Sequence, residues 1–145
     1  MNDTTKQKVR QMFEAQLKGP VEVLLFHAQE APGDEPYTDA TREIVTELSG
    51  LSDGRLSLRD VRIQDNNELA QTYGIDKTPA LAFLDGTGRD QGFRFFGAPA
   101  GYEFMALLDD IIDVSQGQSR LSEAIRAQIK VIDQDVRIQV FSTAS

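Results

Sequence analysis

The groups that could do chemistry in this chain are few, and the missing ones narrow the field most. It has one histidine, His27, and no cysteine in 145 residues. A disulfide framework, a thiolate zinc site, an iron–sulfur cluster and a thiol nucleophile are all excluded. His27 could serve as a general base near neutral pH, but no nucleophile accompanies it in sequence, so it reads as a structural histidine. Glu30, Asp34, Glu35 and Asp39 form an acidic cluster able to offer oxygen ligands to a hard cation. The cluster lacks the alternating spacing and glycine of a calcium loop and reads as a solvated loop. Gly97-Ala98-Pro99-Ala100-Gly101 has no lysine and no following Ser or Thr, so it fails the phosphate-loop pattern. Neither a cofactor nor a metal is expected.

Charge narrows the partners. The 23 acidic residues outnumber the 15 Lys plus Arg, for a net charge of −8, and a field of that sign repels phosphate backbones and anionic lipid. Nucleic acid and membrane are not expected partners. The first 18 residues lack the apolar run of a signal peptide, and the expected location is the cytoplasm.

These residues need elements to hold them. Val9, Met12, Phe13 and Leu17 recur at helical spacing in a first helix over 3–18, ended by Gly19-Pro20. Val21 to Phe26 is a continuous apolar run, as a central strand requires. The stretch 28–37 carries Pro32, Gly33, Asp34 and Pro36 and is a loop. A second helix is predicted from Thr38 or Asp39, either of which could cap it, to Gly50. Arg55 to Ile63 is a second strand with a register break near Asp60. A short helix follows, capped by Asn66 or Asn67 and ended by Gly74. Ala80 to Leu84 and Gln91 to Phe96 form a hairpin about Asp85-Gly86-Thr87-Gly88. A long helix through Phe104, Leu107, Leu108, Ile111 and Ile112 comes next. The last helix, 119–130, has a capping pattern at Ser122 and a stripe of Leu121, Ile125 and Ile129.

This order specifies an α/β domain, a mixed central sheet with helices on both faces, which is the thioredoxin fold. Pro79, just before a buried strand, sits where that fold places a cis proline, and Thr78 beside it would offer a backbone edge to an extended peptide. Phe93, Phe95 and Phe96 alternate on the last strand, so any face left open is a candidate docking surface. Val136, Ile138, Val140 and Phe141 spell a further strand after the domain has closed.

Three stretches carry a resemblance to a known family. They are Thr78-Pro79-Ala80, the run Arg94-Phe95-Phe96-Gly97-Ala98-Pro99-Ala100-Gly101-Tyr102-Glu103-Phe104, and the tail from Ile132 to Phe141. Together they resemble the glutaredoxin-like protein disulfide oxidoreductases, which carry two thioredoxin folds in tandem. The chain is similar also to the N-terminal domain of the flavoprotein subunit of alkyl hydroperoxide reductase. The resemblance implies a Cys-x-x-Cys opening the second helix, where the helix N-terminus favours the thiolate. Glu35-Pro36-Tyr37-Thr38 holds that place with both sulfurs gone. The resemblance also implies that residues 1–131 are a first, redox-inactive unit. Residues 132–145 are then a linker and the first strand of a truncated second unit that would bring the thiols.

The function implied is a structural or docking role in disulfide oxidoreduction and cell redox homeostasis. The expected partner is protein: a second thioredoxin-like unit, a second copy, or a redox partner. Two alternatives stand beside it. One is a stand-alone module holding peptides at Tyr37, Thr78 and Pro79; the other is the docking domain of a flavoprotein disulfide or peroxide reductase system.

Overall fold

The computed structural model describes residues 1–142, and the last three residues of the predicted tail lie outside them. The elements are α1 (Asp3–Gln16), β1 (Val21–His27), α2 (Pro36–Gly50), β2 (Leu56–Arg62), α3 (Asn67–Thr72), β3 (Ala80–Leu84), β4 (Asp90–Phe96), α4 (Glu103–Gln116) and α5 (Glu123–Lys130). The strands form one sheet in the order β2-β1-β3-β4. β1 runs parallel to β2 and antiparallel to β3, and β3 is antiparallel to β4.

Strand alternation divides the core in two. Val23 and Leu25 of β1, with Leu81 and Phe83 of β3, face a cluster built by Val9 and Phe13 of α1, Val45 and Leu48 of α2, and Leu107, Leu108, Ile111 and Ile112 of α4. Leu24, Phe26, Ala80, Ala82 and Leu84 point the other way, toward Ala70 of α3. β3 is buried along its whole length, because it is central and covered on both faces. Among the described residues no helix is long and apolar enough to cross a membrane.

Several boundaries differ from the sequence expectation, each for a physical reason. α2 starts at Pro36 rather than at Thr38 or Asp39, since proline suits the first helical position, where its missing N–H is not needed. β2 has no register break: its ladder with β1 runs unbroken from Leu56 to Arg62. Its apolar residues instead change sides, Leu56 and Leu58 joining the larger cluster and Val61 and Ile63 the smaller. The Asn66 side chain does not cap α3, and donates to the Arg62 carbonyl at 3.0 Å. α5 starts at Glu123, where Ser122 Oγ accepts from the Ile125 N–H at 3.3 Å. The predicted hairpin turn forms, with Asp85 Oδ1 accepting from the Thr87 N–H at 2.8 Å and its hydroxyl at 2.6 Å. Gly86 is required there by space, because a Cβ would stand 2.8 Å from the Pro20 ring.

The predicted strand over 135–141 is not a strand in this chain. A strand is defined by ladder bonds to a neighbour, and the four-stranded sheet supplies none. Ile138, Val140 and Phe141 are all more than 80% exposed.

One residue of α4 is poorly placed at neutral pH. Burial first, then repulsion from Asp113 and Asp109, pushes the Asp110 carboxyl up from 3.8 to about 6. The folded state therefore holds a proton that the unfolded chain has lost between pH 4 and 6, and stability falls as pH rises through that window. Asp110→Asn should stabilise the domain at pH 7 and leave it unchanged near pH 3.5. A two-unit shift at ~1.36 kcal/mol per unit, discounted because the side chain is only half-buried, gives a gain of about 1–2 kcal/mol. Urea unfolding at the two pH values measures it.

Candidate functional site

α2 begins with Glu35 at its N-cap and Pro36, Tyr37 and Thr38 in its first turn. Thr38 is fully buried, and its hydroxyl donates to Glu35 Oε2 at 2.9 Å. The two side chains thus meet three residues apart across one helical turn, with Glu35 only partly exposed and Tyr37 70% exposed on the outer side. The Thr78–Pro79 peptide is cis, with Pro79 buried and Thr78 partly so. A short polar chain joins it to α2. The Gly97 N–H donates to the Pro79 carbonyl at 2.9 Å, and buried Thr41 donates to the Tyr37 carbonyl at 2.7 Å and to that of Gly97 at 3.4 Å. Tyr37, Thr78 and Pro79 are therefore held by one network.

The loop before α2 is organised by a residue for which the sequence suggested a different use. Asp39 accepts from Gln29 Nε2 at 2.8 Å, from the Gly33 N–H at 2.8 Å and from Arg42 Nη1 at 3.0 Å. The Gln29 amide first, and the Gly33 N–H second, hold its carboxyl below the usual aspartate range. Asp34 similarly accepts from the Ala31 N–H at 2.8 Å. Both carboxylates bind the loop's own donors. Among the described residues, Glu30, Asp34, Glu35 and Asp39 do not converge as a cation site.

His27 closes β1 on the α2 side, 9% exposed. Its Nε2 lies 3.6 Å from Asp60 Oδ1, and its Nδ1 is buried without a partner. Burial lowers its pKa against the pull of the Asp60 carboxylate, with Arg42 adding to the lowering, so it is neutral at pH 7. Arg42 ties the region together, donating through Nε to Asp60 at 3.0 Å and through Nη1 to Gln29 at 3.0 Å. Sequence reasoning missed Arg42. Its position three residues after Asp39 is the available signal, but the link to Asp60 is long-range.

The last strand offers less open aromatic surface than its composition suggests. Phe93 stacks on Phe83 with ring centroids 4.8 Å apart, and Phe95 packs against the larger cluster. On the other side Arg94 lies over the Tyr73 ring at 5.0 Å and is paired with Asp90 at 2.7 Å. Phe96 alone is exposed, at 39%, beneath the Lys77 ammonium. The Gly97–Gly101 segment connects β4 to α4 and lines a shallow apolar hollow with Met1, Ile44 and Phe104. Glu103, which the sequence does not single out, accepts a hydrogen bond from the Ser142 hydroxyl, while its Oε2 is buried without a partner.

No family model matches the chain. It is 26% identical over 141 residues to the alkyl hydroperoxide reductase flavoprotein AhpF of Staphylococcus aureus strain Mu50, covering 97% of this chain and 24% of that protein. The same protein of strain NCTC 8325 is 25% identical over the same length. The chain thus spans about a quarter of the curated relatives it matches. Among solved structures, the NTD_N/C domain of the Enterococcus faecalis V583 reductase AhpF superposes with a TM-score of 0.76 at 22% identity, over 89% of this chain and 59% of that one. A protein disulfide oxidoreductase from Aeropyrum pernix K1 gives 0.72 at 23% identity, over 90% and 54%. The chain is a cysteine-free thioredoxin-fold domain homologous to the N-terminal domain of the alkyl hydroperoxide reductase AhpF.

Proposed function

We propose that this domain is a redox-inactive, glutaredoxin-like thioredoxin-fold unit that serves a cytoplasmic disulfide oxidoreductase or peroxide reductase system by docking, not by thiol exchange. The observation that carries it is the Glu35–Thr38 pair. Two side chains three residues apart at the start of α2, 2.9 Å from each other and linked to the strand entry at Pro79, hold the place of a dithiol without its sulfurs. A carboxylate and a hydroxyl cannot exchange disulfides, so the electrons of such a system must pass through a partner's thiols.

The docking surface we assign is α5 with the tail. Residues 1–131 then form the unit and residues 132–145 lead into a second one. Leu121, Ile125 and Ile129 are 42%, 45% and 48% exposed on one side of α5, followed by exposed Ile132, Val136, Ile138 and Val140. A contiguous apolar run of this size on a domain with a net charge of −8 supports a protein partner.

Titrating the isotope-labelled chain with a separate thioredoxin-like unit bearing a Cys-x-x-Cys should perturb α5 and the tail. The Ile125→Asp, Ile129→Asp double variant should weaken binding by about 100-fold, at ~1–2 kcal/mol per buried aliphatic anchor. Equal affinity of parent and double variant would remove the assignment. The exposure of Tyr37 beside Thr78 and Pro79 supports a second reading, a groove for extended peptides. Under that reading Thr78→Arg, and not the α5 variant, abolishes binding.

A further inference from the structure

The connection from α4 to α5 is held in an unexpected way. α4 ends at Gly117, whose φ of +68° suits glycine, and α5 is capped by Ser122. Between them Arg120 turns back onto α4. Its Nη1 lies 2.6 Å from Asp109 Oδ1, and its Nε donates to Asp113 Oδ1 at 3.0 Å. Its Nη2 donates to the Asp109 carbonyl at 3.0 Å, and its main-chain N–H reaches Asp113 Oδ2 at 3.4 Å. One guanidinium thus joins two carboxylates and a carbonyl, a planar fork that a lysine cannot reproduce.

Beyond this clamp α5 has little to hold it. It buries none of its residues. Arg126 bonds to Gln118 at 3.3 Å, a contact with the connection itself and not with the body of the domain. Among the described residues, the polar ties that join 118–130 to α4 all run through Arg120.

We propose that Arg120 is a latch that fixes the direction in which α5 leaves the domain, and that its release lets α5 swing about Gly117. Gly117 tolerates the backbone change a hinge needs, and the clamp is a network of charges, not a lone surface pair. The proposal holds whether or not α5 is a docking surface, because it concerns the geometry of this chain alone.

The lack of cysteine makes the test direct. Spin labels on Glu14→Cys in α1 and Gln128→Cys in α5, both exposed positions, report the angle of α5 as a distance distribution in the full chain. The parent should give one narrow distribution. Arg120→Ala should broaden it by roughly twofold or more as the helix samples further orientations, and Arg120→Lys should fall between. The Asp109→Asn, Asp113→Asn pair, which leaves the connection untouched, should broaden it as Arg120→Ala does. A distribution unchanged in Arg120→Ala, or a parent already as broad as the variant, overturns the latch.

Discussion

Replacing Phe83 with alanine should lower the free energy of unfolding by about 3–5 kcal/mol, the cost of emptying a fully enclosed aromatic site. Phe83 is wholly buried in central strand β3, opposite Val23 of β1, and its ring stacks on Phe93. It also lies within the cluster that joins α1 and α4 to the sheet. The surroundings cannot collapse into the gap without moving two helices against a hydrogen-bonded ladder. Domains of this size are stable by only about 5–15 kcal/mol, so the variant sits near the folding threshold. Phe96→Ala on the next strand provides the contrast: its ring is 39% exposed and should cost less than about 1 kcal/mol. Denaturant unfolding of both variants measures the difference. A loss below about 1 kcal/mol for Phe83→Ala would contradict the packing described.

The elements legible in the sequence are those whose pattern is local. The unbroken apolar runs of β1 and β3, the Asp85–Gly88 turn, and the stripe of α4 from Leu107 to Ile112 follow from periodicity and turn chemistry. So does the place of the candidate site, since Glu35 to Thr38 and Thr78-Pro79 stand at a loop-to-helix and a loop-to-strand junction. What stays hidden depends on contacts between segments far apart in sequence. Thr38 and Asp39 are good caps in isolation, which sets the expected start of α2 too late. In the fold, Thr38 turns inward to Glu35 while Asp39 binds Gln29, Gly33 and Arg42. The change of side along β2 is set by Asp60, which stands opposite Leu25 of β1 and within reach of Arg42 and His27. The alternation of Val136, Ile138 and Val140 is equally legible, but a strand pattern cannot form a strand without a neighbour to bond.

The site itself can be tested by putting the sulfurs back. At the first turn of a helix, positions three apart bring their Cβ atoms to about 5–6 Å, and the Glu35–Thr38 hydrogen bond shows that the two side chains already converge. In a Glu35→Cys, Thr38→Cys variant the thiols would lie at the N-terminus of a 15-residue helix, where the helix field favours a thiolate. The variant also loses the buried Thr38 hydroxyl together with its acceptor, so no polar partner is left stranded.

The decisive measurement is the redox state of that variant after equilibration in a glutathione buffer, read by intact mass before and after alkylation with the fold checked by circular dichroism. We predict a single reversible intramolecular disulfide. After reduction, the thiol at position 35, on the partly exposed side, should alkylate about tenfold faster than the buried one at position 38. Two free thiols in a folded protein under oxidising conditions would contradict the account, because Glu35 and Thr38 would then not hold the place of a dithiol.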